Sequence, residues 1–75
     1  MDKIKPSYYN EPRAGLTCDE VIASITEPCI GQEGMWIGNT TKYLWRWKFK
    51  NGVEDLKKAK RCLGILIDKL EGGQQ

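Results

Sequence analysis

The stretch GNTTKYLWRWKFKNG, residues 38–52, decides the fold of this chain. Apolar and aromatic side chains recur in it at spacings of three and four as far as Phe49, and the sequence KNG then interrupts the pattern. This spacing predicts a helix over residues 35–49, followed by a sharp turn. The residues expected on its buried side are Ile37, Thr40 or Thr41, Leu44 and Trp47.

The chain after this turn predicts a longer helix over residues 53–70. Its apolar residues alternate at spacings of three and four, and Gly72 follows as a stop signal. Cys62, Ile65 and Ile67 widen the apolar surface beyond one stripe, which indicates a second neighbour such as another subunit. The stripe itself consists of Leu56, Ala59, Leu63, Leu66 and Leu70.

Two glycines lie inside these helices. Gly38 costs about 1 kcal/mol relative to alanine, so another backbone or a ligand is expected close to it. Gly64 would let two helix backbones approach closely, and a tolerated surface glycine explains it equally well.

A first helix is predicted over residues 17–27. Thr17 and Glu20 have the spacing of a capping box, which contributes about 1 kcal/mol. Pro28 ends the helix, because the residue before a proline avoids helical geometry. The apolar stripe of this helix is Val21, Ile22 and Ile25.

Residues 1–16 show neither a helical nor an alternating period, and we expect an extended arm that packs through Tyr8 and Tyr9. The fold class that follows is all-α, a single three-helix domain over residues 1–75. A chain of 75 residues buries only about 60% of the surface that its unfolded form exposes. Because no disulfide or metal is evident to stabilise it, a homo-oligomer is expected.

The composition excludes several classes of site. The chain has no histidine, which removes Ser-His and Cys-His catalysis and the mixed zinc sites. Cys18, Cys29 and Cys62 form no CxxC pair, so free thiols in a reducing cytoplasm and no metal are expected. The N-terminus lacks the apolar run of a signal peptide, and no segment approaches the roughly 20 apolar residues that span a membrane. The string GMWIGNTTK lacks the residue order of a phosphate-binding loop.

The charge is unevenly distributed. The net charge is only +2, but residues 42–61 carry eight cations and two acids. This segregation favours an anionic partner, either a polynucleotide or a small phosphate, and a solvated helix face is the alternative.

One constellation of the second helix suits a nucleotide. Asn39, Lys42, Tyr43 and Arg46 recur at spacings that place them on one helix face. Lysine and arginine neutralise phosphate, tyrosine stacks on a base, and asparagine pairs with a base edge or a sugar hydroxyl. The alternative is that Tyr43 belongs to the core and that Arg46 pairs with Asp55.

Residues 38–63 resemble a known signature. They are similar to small phage proteins described as nucleotide kinase-like, whose pattern runs approximately G-N-A-I-K-Y-L-W-R and then E-D-L-K-K-A. Looser similarity extends upstream through Tyr8–Tyr9, where the family usually has a His-Tyr pair, and through the LTCDEVIASI helix. An acidic residue is also common in the family near the position of Thr17. The ligand-binding residues expected from the spacing and the resemblance are Asn39, Lys42, Tyr43, Arg46, Asp55, Lys58, Tyr8 and Tyr9.

The function expected from the residues and the resemblance together is nucleotide binding in the cytoplasm of an infected bacterial host. Because the histidine and the acid are missing, we prefer binding without turnover, such as sequestration of a cyclic nucleotide immune signal, at a site between subunits. The alternatives are a nucleoside monophosphate kinase, which would need ATP and Mg²⁺, and a small DNA- or RNA-binding regulator. No other cofactor and no membrane partner are expected.

Overall fold

The computed structural model describes residues 11–72 and consists of three helices. They are α1 (Cys18–Thr26), α2 (Glu33–Arg46) and α3 (Val53–Glu71), and a short 3₁₀ helix (Trp47–Phe49) continues α2. The expected all-α fold is confirmed. Most of the expected arm, including Tyr8 and Tyr9, lies outside the described residues.

The ends of α1 follow the local signals of the sequence. The Thr17 hydroxyl accepts a hydrogen bond from the Glu20 N–H at 3.1 Å, and the Glu20 carboxylate accepts one from the Thr17 N–H at 2.9 Å. The helix ends at Thr26, two residues before Pro28. The predicted capping box is confirmed. The helix does end before Pro28, but the predicted reason is wrong, because Glu27 keeps helical angles of φ −55° and ψ −42°.

The helices form a flat layer. α1 and α3 each pack on α2 and make few contacts with one another. The molecule accordingly measures 43 × 25 × 17 Å. An arrangement of this kind leaves two broad faces of the α2–α3 pair uncovered, so the core is small.

The buried apolar side chains among residues 11–72 are Cys18, Ala59 and Leu66. The buried stripe predicted for α3 is therefore confirmed for Ala59 and Leu66. It is wrong for Leu63 and Leu70, which are 41% and 47% exposed. These two side chains lie at the edge of the contact between α2 and α3, where none of the helices in the described residues covers them.

The buried side predicted for α2 is partly wrong. Of the two threonines predicted as alternatives, Thr40 is the buried one and lies at the centre of this side. Leu44, which was also predicted to be buried, is 51% exposed. The reason is that α3 packs against the side of α2 that carries Thr40, and α1 packs against the opposite side near Gly38. Leu44 falls between the two contacts.

Two glycines show what local packing requires. A Cβ at Gly38 would lie 3.5 Å from Cγ2 of Ile22, which is an ordinary contact, so within the described residues a side chain of α1 approaches there and a second backbone does not. Gly52 has φ +60° and ψ −132°, a conformation that L residues rarely adopt, and its N–H donates to the Trp47 carbonyl at 2.7 Å. Gly52 thus makes the sharp turn from α2 to α3 possible.

A two-residue turn precedes α1. Arg13 and Leu16 exchange two backbone hydrogen bonds, and the residues between them, Ala14 and Gly15, have φ values of 53° and 81°. Positive φ at both positions defines a type I′ turn, which favours Asn-Gly over Ala-Gly.

We expect Ala14→Asn to raise the free energy of unfolding by about 0.5–1 kcal/mol, because asparagine tolerates the left-handed conformation better than alanine. Urea denaturation followed by circular dichroism measures the change. The matched control is Ala23→Asn on the exposed side of α1, which should lower stability by up to about 0.7 kcal/mol. Equal effects of the two substitutions would contradict the turn assignment.

Candidate functional site

The turn at residues 50–52 makes α2 and α3 antiparallel, so residues equally far from the turn lie opposite one another. By this rule, Tyr43 faces Lys58. Further from the turn, Asn39 faces Cys62, and Trp36 faces Ile65. The same side chains border an open groove along one face of the α2–α3 pair.

The groove has a volume of about 310 Å³, which is at the lower limit for small-molecule sites. Three of the residues expected from the sequence line it, and four of its lining residues were not expected. The expected ones are Asn39, Tyr43 and Lys58, and the others are Trp36, Arg61, Cys62 and Ile65. No carboxylate lines this groove within the described part of the chain.

Tyr43 lies among three cations. The Lys42 and Lys58 ammonium groups lie 5.6 and 5.8 Å from the centre of its ring, and the Arg46 guanidinium carbon lies 5.0 Å from it. Cations at these distances are attracted to the ring, and each contributes roughly 0.5–1 kcal/mol at exposed sites. Lys42 and Lys58 therefore make the end of the groove nearest the turn positively charged, whereas the charge of Arg46 is compensated by Asp55.

Below this end of the groove, Arg46 forms a buried ion pair with Asp55. Nε and Nη2 of Arg46 donate to the two carboxylate oxygens at 3.0 and 3.1 Å, and the Asn51 side-chain amide donates to Asp55 Oδ1 at 3.1 Å. The Asp55 side chain is 0% exposed. The pairing considered from the sequence is therefore present within one chain, and Asp55 lies beneath the groove and does not line it.

The environment of Asp55 determines its ionisation. Burial alone would raise its pKa, but the hydrogen bonds from Arg46 and Asn51 and the charge of Arg46 outweigh burial and hold the pKa of Asp55 below its ordinary value. Asp55 is thus a carboxylate at neutral pH, and it joins the end of α2 to the first turn of α3.

Two indole N–H groups, those of Trp36 and Trp45, are shielded from solvent and have no hydrogen-bond partner within the described residues. Trp36 belongs to the groove. An unsatisfied buried donor costs about 1–3 kcal/mol, so an acceptor brought to this end of the groove would be stabilising.

The thiol of Cys18 is not suited to nucleophilic chemistry. Burial and the nearby Asp19 carboxylate raise its pKa, and Arg13 and Lys42 only partly oppose them. All three cysteines are free, and residues 11–72 contain no group of three or more acidic or thiol side chains placed to bind a metal ion. Over the same residues, the helices are too short or too polar to cross a membrane.

A second, smaller cavity of about 170 Å³ lies where the N-terminal segment meets the end of α2. There the Arg13 guanidinium stacks 4.1 Å from the centre of the Trp45 ring and 5.3 Å from that of Phe49, and it donates to the Trp45 carbonyl. Arg13 therefore fastens the segment before α1 to α2, a role that its isolated position in the sequence did not indicate.

The fold and the groove define a small all-α protein with a cationic and aromatic surface groove. The chain belongs to a family of proteins of unknown function, DUF3310, whose model matches residues 3–63. Neither a curated protein nor a solved structure shows significant similarity to the chain. The family match covers α1 and α2 completely and ends at Leu63, within α3.

Proposed function

We propose that this chain is a homo-oligomeric phage protein that binds a nucleotide, or a signal derived from one such as a cyclic nucleotide, in the groove between α2 and α3. The observation that supports this proposal is the lining of the groove. It combines an aromatic ring surrounded by cations, a second aromatic residue and a side-chain amide, with no acidic group among the described lining residues.

The groove has two chemically different ends. Tyr43 and Lys58 form the end nearest the turn, where the positive charge is concentrated and a phosphate would be neutralised. Trp36 and Ile65 form the other end, where an aromatic base would be buried against apolar surface. Asn39 lies between them and can donate and accept hydrogen bonds at a base edge or a sugar.

This lining favours binding over phosphoryl transfer. Transfer of a phosphoryl group generally needs carboxylates to hold Mg²⁺, and Asp55, the acid among the expected ligand-binding residues, is buried and engaged by Arg46 and Asn51. A protein that binds without turnover suits sequestration of a signalling nucleotide.

The cations of α3 lie on one side of the helix. Lys57, Lys58, Lys60 and Arg61 spread over about 160° of its circumference, since successive residues turn by about 100°. Only Lys58 and Arg61 line the groove. The two cations that line the groove therefore suit a compact anionic ligand, and the wider cationic side of α3 leaves a polynucleotide as the alternative.

We expect the purified protein to release or absorb heat with at least one member of a calorimetry panel of mononucleotides and cyclic dinucleotides. The double variant Lys58→Ala/Arg61→Ala should weaken that binding at least about tenfold per cation, because each charge-assisted hydrogen bond is worth about 1.5–3 kcal/mol. The matched control is Lys50→Ala/Lys57→Ala, which removes the same charge from exposed positions outside the groove.

The proposal fails if no ligand gives heat at millimolar concentration, or if the groove and control variants bind equally well. Incubation with ATP, Mg²⁺ and each nucleoside monophosphate provides the second test. Formation of a diphosphate would identify a kinase and overturn binding without turnover.

A further inference from the structure

The face of the α2–α3 pair opposite the groove is apolar. On α3, Lys58 and Cys62 lie to one side of the buried Ala59, and Leu56 and Leu63 lie to the other side, as the helical period requires. The same division on α2 places Ile37 and Leu44 on the side away from the groove. We define this apolar face by Ile37, Leu44, Leu56, Leu63, Ile67 and Leu70.

Within the described chain the apolar face has no covering element. Leu44, Leu63, Ile67 and Leu70 are each between 41% and 51% exposed. A partner that covers these aliphatic side chains would remove their apolar surface from water, which is the main favourable contribution to protein association.

The charged residues that border the apolar face along α3 are complementary between two copies of the chain. Lys60 and Glu71 are both exposed and lie eleven residues apart, which is about three helical turns, so they project in nearly the same direction. If a second α3 packs antiparallel about an axis midway between them, Lys60 of each copy meets Glu71 of the other. A two-fold axis makes this contact twice.

The same register explains Gly64. It places Ile67 of one copy against Gly64 of the other, because both pairs are centred on the same point of α3. A Cβ at Gly64 would meet nothing within 4 Å in its own chain, so packing within one chain does not require glycine there. A partner helix at close range would make use of that open space.

We propose that a second copy of this chain covers the apolar face, with the two α3 helices antiparallel and with Lys60–Glu71 and Ile67–Gly64 contacts between copies. Each copy then carries a complete groove on its outer side, and the groove does not lie between subunits. The inference supplies a surface for the homo-oligomer of the proposed function. It does not depend on the ligand, so sedimentation and calorimetry can fail separately.

The test is analytical ultracentrifugation of the full chain over a range of micromolar concentrations. We expect a species of twice the 8.6 kDa chain mass. Lys60→Glu and Glu71→Lys should each raise the dimer dissociation constant at least about tenfold, because each substitution places like charges together twice. The combined variant Lys60→Glu/Glu71→Lys should restore the dimer.

Glu27→Lys serves as the matched control for Glu71→Lys, since Glu27 is exposed at the end of α1 and should leave the dimer unchanged. Gly64→Ala tests the register without a change of charge. Alanine should stabilise α3 within one chain, but its Cβ should weaken the dimer by colliding with Ile67 of the other copy. A monomeric wild type, an oligomer indifferent to the single charge reversals, a combined variant that does not recover, or an unchanged dissociation constant for Gly64→Ala would each overturn the inference.

Discussion

Replacement of Asp55 by alanine is expected to destabilise the protein by about 3–5 kcal/mol, the usual cost of breaking a buried ion pair. The substitution leaves the buried Arg46 guanidinium without the carboxylate that accepts two of its hydrogen bonds, and it removes the acceptor of the Asn51 amide. A domain of this size is stable by roughly 4–11 kcal/mol. We therefore expect a large fall in the urea midpoint, measured by far-UV circular dichroism.

The neighbouring acid provides the control. Glu54 occupies the same first turn of α3 but is exposed, so Glu54→Ala should lose only the favourable interaction with the helix dipole, about 0.3–1 kcal/mol. A double variant with apolar residues of similar volume, Arg46→Met/Asp55→Leu, should recover part of the stability lost in Asp55→Ala. Equal losses at the two acids would show that the pair does not stabilise the junction.

The ion pair also sets an acid dependence of stability. The pKa of Asp55 is lower in the folded chain than its unfolded value of about 3.9, so the folded state favours the carboxylate. Its contribution is complete well above pH 4 and is lost as the pH falls through that value towards the lower pKa of the folded state. The stability of the Asp55→Ala variant should consequently fall less than that of the wild type over this acid range.

The elements of the fold were predictable because their signals are local. Thr17 and Glu20 cap α1 through contacts three residues apart, and Gly52 supplies a backbone conformation that other residues avoid. None of these signals depends on what the helices pack against, which is why their predicted positions agree with the structure.

The packing was less predictable because one spacing fits several arrangements. Ile37, Leu44 and Trp47 have the period of a buried seam, but the seam that forms is centred on Thr40, since α1 and α3 take opposite sides of α2. Periodicity shows that a helix has an apolar side. It does not show how many neighbours divide that side between them.

The candidate site was only partly predictable, with two of its residues expected on α2 and one, Lys58, on α3. Asn39 and Tyr43 were expected from their spacing along α2, whereas Trp36 and Ile65 had not been assigned to a site. The missing signal was the symmetry of two antiparallel helices about the turn at residues 50–52, which pairs Trp36 with Ile65 and Asn39 with Cys62. Arg13 could not be found in this way, because its contact with Trp45 joins residues 32 positions apart.

The second large effect is expected at Leu66. It is the one large apolar side chain that is buried among residues 11–72, with 5% of its surface exposed. Truncation to alanine removes its contacts and leaves a cavity between α2 and α3, because the neighbouring helices can close only part of the space. We expect Leu66→Ala to lower the free energy of unfolding by about 2–4 kcal/mol, measured by urea denaturation.

Ile25 is the appropriate control for Leu66, because it is also an aliphatic residue within a helix but is 49% exposed and lies on α1, away from the apolar face. Ile25→Ala should cost less than about 1 kcal/mol, since alanine is the better helix former and little buried surface is lost. Similar costs at Leu66 and Ile25 would mean that the contact between α2 and α3 is not the core. A large difference would show that one leucine accounts for a substantial part of the stability of a chain with so few buried apolar side chains among its residues 11–72.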